Sequence, residues 1–308
     1  MKTKTSKAYS LIELSIVILI IGILVAGVTQ GSRLVGQMKL ASARSLTQSS
    51  PVNSIKGLSL WLETSSNESF SDADEEDGAT VTIWKDINPQ SLAKLTATAQ
   101  TGVLATPVNL TAGIPTTSAA TQITYLANGI NGIPSVSFNV DAASIQSKRL
   151  TLSSVPEFTV THTFTTFVVY KKLQNTTQGA LIGNGVSATE GWIYSAFQTG
   201  DNAIVSTNAG SSTTGGTVSY QKPEILTITS SAASISSYLN GKSTTSGGSY
   251  LIAITNSAPT AFYIGNSYLV NSPWKGLISE IIIFDGAMKT ADRRSIEAYL
   301  GKKYGIMI

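Results

Sequence analysis

A long apolar run near the N-terminus constrains the fold of this 308-residue chain more than any other feature. The run covers Ser10–Val28, about 19 residues or roughly 28 Å of helix, which matches the hydrocarbon thickness of a bilayer. Lys2, Lys4 and Lys7 precede it, and positive charge favours the cytoplasmic side of a membrane. The sequence therefore predicts one membrane-spanning helix with a cytoplasmic N-terminus and everything after Gly31 outside.

One carboxylate, Glu13, lies inside this apolar run near its start. A charged side chain costs about 2.5 to 3.5 kcal/mol at the middle of a membrane helix and less near an end, so some partner should compensate Glu13. Cleavage just before Tyr9 would create such a partner, because it exposes a positively charged α-amino group that can meet Glu13 of a neighbouring, staggered helix. A secretory signal differs, since its apolar core is shorter and a small-residue cleavage site follows that core.

The segment KAYSLIEL, which begins at Lys7 and is followed by SIVILIIGILVAG, resembles the leader and first helix of type IV pilins and type II secretion pseudopilins. The resemblance implies that a prepilin peptidase removes the leader, residues 1–8, at the cytoplasmic face of the bacterial inner membrane. Ala8 then precedes the cut, Tyr9 becomes the methylated first residue, and Glu13 guides assembly with other pilin subunits in the membrane lipid. Ala8 stands where the family usually has Gly, and Tyr9 stands where it usually has Phe. The alternative is an uncleaved signal anchor.

The helix is predicted to continue beyond the membrane and to comprise residues 9–48. Leu34 and Met38 recur there at helical spacing, in a stripe that can pack between subunits. Pro51 ends the helix, because proline lacks an amide donor and restricts the residue before it. Residues 49–56 are predicted to be a linker.

From Gly57 onwards the periodicity changes to short β runs separated by Gly, Asn, Pro and Ser clusters, a pattern typical of a sandwich. The Asn240-Gly241 pair predicts a hairpin, because both positions of a type I′ turn need positive φ. The last segment, 290–304, is predicted to be a helix with Thr290 as N-cap that closes one edge of the sandwich. The predicted strands are 57–63, 80–86, 134–140, 164–172, 179–185, 191–197, 224–231, 234–244, 260–266 and 276–286.

These elements in this order resemble the concanavalin A-like, or laminin-G-like, jelly roll of bacterial surface proteins. The resemblance rests on Leu60–Leu62, Ile83–Asp86, Asn131–Pro134, Asn240–Lys242, Trp274–Gly276, Ser295–Leu300 and Lys303–Gly305. It implies a mainly β fold, with a β-sandwich domain over residues 57–308 and a short C-terminal helix. A usual pilin head is a smaller unit of one helix and one sheet, so the combination favours a minor or specialised subunit.

Composition excludes several classes of function. The formal net charge is only +3, and no stretch interleaves Lys or Arg with aromatic residues, so nucleic acid is not expected as a partner. The chain has no Cys, which excludes disulfides, thiolate metal sites and thiol nucleophiles.

The sequence predicts no enzyme. Glu280 and Asp285 are the best local pair of carboxylates, but residues five apart in a strand point to opposite faces and cannot flank one glycosidic bond. The acidic run Ser71–Gly78 has the oxygen density that Ca²⁺ favours, without the spacing of an EF-hand. No cofactor is therefore predicted, with calcium as the alternative to a solvated turn, and the single histidine, His162, is expected to be structural.

Aromatic residues near predicted strand ends offer a ligand platform. Trp192, Tyr194 and Trp274 can stack on sugar rings, although a sandwich core also needs aromatic side chains. We therefore expect a pilin-like subunit that displays a sandwich for a glycan or a surface protein. The alternatives are a membrane-anchored binding module outside any filament and a tethered glycan hydrolase.

Overall fold

A long helix, two β-sheets and a short second helix make up the computed structural model of the chain. It describes residues 11–100, 123–138, 149–153, 155, 163–174, 179–184, 192–195, 203–208, 211–231, 234–244, 261–266 and 273–308. The helices are α1 (Leu11–Gln48) and α2 (Thr290–Tyr304), with a 3-10 turn at Pro51–Asn53. The strands are β1 (Leu58–Glu63), β2 (Ile83–Lys85), β3 (Thr96–Ala99), β4 (Thr124–Ile130), β5 (Ile133–Ser137), β6 (Leu150–Ser153), β7 (Phe164–Lys172), β8 (Ala180–Asn184), β9 (Trp192–Ser195), β10 (Ala203–Asn208), β11 (Ser211–Thr217), β12 (Pro223–Ser231), β13 (Ser234–Leu239), β14 (Lys242–Ser243), β15 (Ala261–Ile264) and β16 (Gly276–Asp285).

The first five turns of α1, Leu11–Val28, are almost entirely apolar and are exposed on every side. All residues from Leu11 to Met38 are exposed, and by length and composition this helix is able to span a membrane. Ser15 and Thr29 donate their hydroxyl protons to carbonyls of the preceding turn, which satisfies these polar groups within the helix. The predicted apolar helix is confirmed, and it has the properties of a membrane anchor or a signal sequence.

Two antiparallel sheets pack face to face after α1. Sheet A has the order β14-β13-β12-β7-β16-β5-β4, with β1 also paired to β16, and sheet B has the order β11-β10-β9-β8-β15-β6-β3-β2. Large apolar side chains fill the space between the sheets, as in other β-sandwiches. They include Leu60, Leu62, Trp84, Phe138, Phe164, Val168, Tyr170, Phe262 and Trp274.

The central strands of sheet A are apolar on both faces. In β7, Phe164, Val168 and Tyr170 contribute to the core between the sheets, whereas Phe167 and Val169 belong to a second apolar cluster on the outer face of sheet A. Successive side chains of a strand point to opposite faces of the sheet, which explains this division. The outer face of sheet A therefore needs a cover.

The helix α2 provides that cover. Ile296, Leu300 and Tyr304 are fully buried in the second cluster, which confirms the predicted apolar face. The predicted position at an edge of the sandwich is wrong, because the apolar surface that needs burial lies over the centre of sheet A. The predicted cap is one residue late, since Thr290 is the first helical residue and Lys289 occupies the N-cap position without a side-chain hydrogen bond.

Residues 49–56, predicted to be a linker, form an ordered turn. Val52 is fully buried, and Asn53 Nδ2 donates to the carbonyl of Gln48 at 2.9 Å. The helix ends three residues before Pro51, as expected from proline chemistry. The turn therefore fixes the path of the chain from α1 into β1.

The predicted hairpin turn is confirmed. Asn240 and Gly241 have φ values of 49° and 76°, as a type I′ turn requires, and they connect β13 to β14. The fold class predicted from the sequence is confirmed as well: a long apolar N-terminal helix, a concanavalin A-like sandwich of two antiparallel sheets, and a short C-terminal helix.

Candidate functional site

The last three turns of α1 dock on the sandwich. Lys39 Nζ donates to the carbonyl of Asn131 in the β4–β5 turn at 3.2 Å. Arg44 Nε donates to the carbonyl of Ser65 at 2.7 Å, and Ala43 is buried against the second apolar cluster. Upstream of Lys39 the helix continues for 28 exposed residues, or about 42 Å at 1.5 Å per residue. Anchor and sandwich therefore meet at a defined junction.

A buried cluster of two carboxylates and one ammonium group lies beneath this junction. Lys303 Nζ of α2 donates to Glu63 Oε1 at 2.6 Å and to Glu280 Oε2 at 2.8 Å, and all three side chains are fully buried. Glu63 and Glu280 are direct neighbours on β1 and β16. Lys303 Nζ also donates to Thr47 Oγ1 at 2.8 Å. The buried cluster (Glu63, Glu280 and Lys303) thus connects two strands, α2 and the end of α1.

Glu280 receives four hydrogen bonds. Its Oε1 accepts from Trp61 Nε1 at 2.8 Å and from the Tyr299 hydroxyl at 3.0 Å. Its Oε2 accepts from the Tyr304 hydroxyl at 2.9 Å as well as from Lys303. These donors replace the water that an ionised carboxylate would otherwise bind.

Glu63 is satisfied by the turn that follows β1. Its Oε1 accepts from the backbone amide of Ser65 at 2.7 Å and from the Ser65 hydroxyl, and its Oε2 accepts from the amide of Ser66 at 2.7 Å. The same turn supplies the carbonyl that Arg44 binds. The loop after β1 therefore serves the buried cluster and α1 together.

Burial dominates the electrostatics of the buried cluster. Desolvation raises the pKa of Glu280, Lys303 lowers it, and the nearby charge of Glu63 raises it further. Desolvation also raises the pKa values of Tyr299 and Tyr304 well above the ordinary value, and the charge of Glu280 adds to that effect. Both phenols are therefore neutral hydroxyls that can donate or accept hydrogen bonds.

The pair of carboxylates formed by Glu63 and Glu280 resembles, in residue type, the pair that glycosidases use for catalysis. Glu63 and Glu280 both contact the same ammonium group, but they are 0% and 1% exposed and lie under α2. A glycosidase needs its two carboxylates on either side of a bond in an accessible cleft. Glu280 and Asp285 do not share a cleft, because Asp285 is exposed whereas Glu280 is buried under α2. The buried arrangement fits a structural contact between strands and helices better than a catalytic site.

The predicted processing residues fall at the start of the chain. Ala8 and Tyr9 lie outside the described residues. Glu13 lies in the first turn of α1 and is exposed, as are the apolar side chains around it. His162, which was expected to be structural, also lies outside the described residues.

Of the predicted ligand platform, the structure describes the side chain of Trp274 alone. Trp192 and Tyr194 are part of β9, and their side chains lie outside what the structure describes. Trp274 is fully buried, and its ring centroid lies 5.4 Å from that of Tyr170 at an interplanar angle of 84°. The prediction that Trp274 offers a surface for sugar is therefore wrong, because its indole fills the core between the sheets.

The acidic run before β2 is held by protein donors. Asp74 Oδ2 accepts from the Thr82 hydroxyl at 2.9 Å, and Asp77 Oδ1 accepts from the amide of Ala127 at 2.8 Å. Within the described ranges, no three or more His, Asp or Glu side chains come close enough together to hold a metal ion. Asp77 therefore attaches this turn to β4 at the edge of sheet A, and Asp74 attaches it to the segment just before β2 of sheet B.

Sequence reasoning missed Lys303 and Glu63 as members of one site. Glu63 ends the apolar strand LSLWLE, and Lys303 lies on the buried face of α2, 240 residues further along the chain. The available signal was a charged residue at a position where the apolar pattern requires burial. Such a residue indicates a buried partner of opposite charge, because buried charges are paired.

Comparison with known proteins supports the sandwich alone. A family described as the concanavalin A-like lectin/glucanases superfamily matches residues 141–292. No curated protein sequence matches the chain at a significant level. Domain 4 of an extracellular arabinanase from Geobacillus stearothermophilus, solved with arabinotriose, is similar over 79% of this chain and 98% of that domain, with 16% identity and a TM-score of 0.50.

Two further solved structures match with lower TM-scores. The sialidase of Trypanosoma rangeli, solved with sialic acid, has a TM-score of 0.49 and 12% identity over 80% of this chain, which spans only 33% of the sialidase. Botulinum neurotoxin type C, from a study of its interaction with two ganglioside molecules, has a TM-score of 0.49 and 14% identity over 81% of this chain and 52% of the toxin chain.

Proposed function

We propose that the chain is a pilin-like subunit, minor or specialised, that carries its sandwich on a membrane-inserted helix. The observation that supports this most is the continuity of α1: 28 exposed residues project beyond the sandwich, while the same helix docks on it through Lys39, Ala43 and Arg44. Such a junction fixes the orientation of the sandwich relative to the helix when the helix is withdrawn from a membrane, whereas a flexible tether would leave that orientation free.

The N-terminal chemistry supports the same proposal. The basic residues before α1 orient it with its N-terminus in the cytoplasm of a bacterium, and lipid surrounds its apolar surface. A prepilin peptidase cuts between Ala8 and Tyr9, Tyr9 is methylated, and Glu13 pairs with the new N-terminus of a neighbouring pilin subunit. The filament is a type IV pilus or a type II secretion pseudopilus.

N-terminal mass spectrometry of the membrane-expressed chain, with and without a prepilin peptidase, tests this proposal. We expect a mature chain that begins at a methylated Tyr9 only when the peptidase is present. The variant Ala8→Gly should be cleaved at least as completely, and Ala8→Leu should remain uncut, whereas Thr5→Leu, three residues before Ala8, serves as the control. An intact leader in the presence of an active peptidase would overturn the proposal.

The sandwich is proposed to bind a glycan or a surface protein. Support for a glycan comes from the arabinanase domain, which shares the architecture and was solved with arabinotriose. Trp192 and Tyr194 are the proposed platform. Full-length protein in detergent, applied to a glycan array, should lose binding as Trp192→Ala or Tyr194→Ala and keep it as Tyr220→Ala, a tyrosine that is 47% exposed. Equal binding by all three variants would contradict the platform.

An anchored binding module outside any filament is the alternative. It would need α1 only for insertion, so Glu13→Gln would leave its surface display and its ligand binding unchanged. The pilin-like role requires that Glu13→Gln abolishes incorporation into sheared filaments while the protein remains in the membrane. We propose no catalytic role, which the sealed position of Glu63 and Glu280 supports.

A further inference from the structure

The contact between α1 and the buried cluster is made by one hydroxyl. Thr47 Oγ1 donates to the carbonyl of Ala43 at 3.0 Å and accepts from Lys303 Nζ at 2.8 Å. A hydroxyl has one proton and two lone pairs, so Thr47 has one lone pair left. The Tyr299 hydroxyl lies 3.3 Å from that oxygen.

Tyr299 stands between α1 and Glu280. Its hydroxyl proton is directed to Glu280 Oε1 at 3.0 Å, so Tyr299 does not donate to Thr47 as long as Glu280 is ionised. A protonated Glu280 has a proton of its own to donate. The Tyr299 oxygen, which already accepts from Lys303 Nζ at 3.2 Å, can accept this second hydrogen bond on its other lone pair, which frees the Tyr299 proton for Thr47.

The position of Lys303 selects the oxygen that takes the proton. Glu280 Oε2 contacts the ammonium group of Lys303, which disfavours a proton there, whereas Oε1 contacts only the neutral donors Trp61 and Tyr299. Trp61 cannot reverse its hydrogen bond, because an indole nitrogen only donates. A proton on Oε1 therefore points to Tyr299.

We propose that the junction is a proton-responsive clamp, in which protonation of Glu280 turns the Tyr299 hydroxyl towards Thr47 and adds a hydrogen bond between α1 and the sandwich. Solvent supplies the proton, and no covalent bond changes. The raised pKa of Glu280 supports this direction, because burial already favours its neutral form. The clamp concerns the junction alone and holds whether or not the chain enters a filament.

Charged and titratable groups around Glu280 come from each element that packs there. Sheet A contributes Glu63 from β1, and α2 contributes Lys303, Tyr299 and Tyr304. From α1 the contact is the uncharged Thr47, while Arg44 of the same helix binds the carbonyl of Ser65 instead. A change in the charge of Glu280 therefore reaches α1 through Tyr299 and Lys303.

Hydrogen exchange of the α1 amides around Thr47, in full-length protein in lipid nanodiscs, tests the clamp between about pH 7.5 and pH 5. After correction for intrinsic exchange and normalisation to the amides of β7, which report the global change in stability, we expect about threefold to tenfold slower exchange at the lower pH, the effect of one added neutral hydrogen bond. Tyr299→Phe and Thr47→Val should abolish this pH dependence, and Thr47→Ser should retain it. Glu280→Gln, which has no proton to gain, should also abolish it.

Tyr304→Phe is the matched control. Tyr304 binds the other oxygen of Glu280, and its hydroxyl lies 3.5 Å from the carbonyl of Ser279 rather than near α1. Its loss should leave the pH dependence of α1 intact. A pH dependence that survives in Tyr299→Phe, that disappears equally in Tyr304→Phe, or that is missing from the parent chain would overturn the proposal. Melting curves of all variants establish that each is folded.

Discussion

At the level of single residues, Lys303 explains how two glutamates can lie side by side inside the protein. Its ammonium group contacts Glu63, Glu280 and Thr47, all of them buried. An intact buried ion pair adds little net stability because desolvation offsets the attraction, but the loss of one partner leaves a charge without compensation. The complete buried cluster therefore adds little to the free energy of unfolding, but removal of its lysine lowers that free energy strongly.

Lys303→Met should destabilise the sandwich by about 3 to 5 kcal/mol, because it leaves Glu63 and Glu280 buried without their cation. Lys302→Met is the control, since Lys302 is the exposed neighbour and its loss should change the free energy of unfolding by less than about 0.5 kcal/mol. Denaturant unfolding measures both. Equal stabilities of the two variants would show that the buried cluster contributes nothing.

The pH dependence of stability follows from the buried carboxyls. Burial raises the pKa values of Glu280, Glu224 and Asp86. The folded protein therefore takes up these protons at a higher pH than the unfolded chain, and the free energy of unfolding falls as the pH rises between the two pKa values. We expect greater stability at about pH 5 than at neutral pH, measured by denaturant titration. A stability that falls on this acidification would contradict the assignment.

Among secondary-structure elements, α2 contributes most to the outer face of sheet A. Its buried residues cover Phe167, Val169 and Ile282. The helix also carries Tyr299 and Lys303, so the same element closes an apolar surface and completes the buried cluster. Packing of α2 therefore positions Lys303 for its contact with Thr47 of α1.

Leu300→Ala should cost about 2 to 5 kcal/mol, because Leu300 is fully buried and the surrounding side chains can close the cavity only in part. The exposed Arg294 offers a control on the same helix, and Arg294→Ala should be nearly neutral. Thermal unfolding of both variants provides the comparison. An equally small effect of Leu300→Ala would mean that α2 does not pack as described.

Some elements could be predicted from the sequence, and others could not. The strand β7 has the predicted bounds, because its β-branched and aromatic residues form one continuous run. The strands β3, β10 and β11 were not predicted, since their Ala, Ser, Thr and Gly residues resemble loops. The buried cluster was missed for another reason: its hydrogen bonds join residues 23 and 240 positions apart, which no local pattern reveals.

The whole molecule combines an exposed apolar helix with a sandwich that docks on its last turns. Contacts of Lys39, Arg44 and Thr47 fix the helix to the β4–β5 turn, to the loop after β1 and to α2. The sequence predicted both parts, since each has its own periodicity. It did not predict that residues 49–56 would hold them together as an ordered turn.

The central claim is that α1 spans a membrane and places the sandwich outside the cytoplasm. Because the chain has no Cys, single cysteines can be introduced as Thr3→Cys in the leader and Ser295→Cys on the exposed side of α2. Intact spheroplasts of a host without a prepilin peptidase, in which the leader is retained, are then treated with a membrane-impermeant maleimide. We predict labelling of Ser295→Cys and protection of Thr3→Cys until the membrane is opened. Labelling of Thr3→Cys with protection of Ser295→Cys, or protection of both, would contradict the claim.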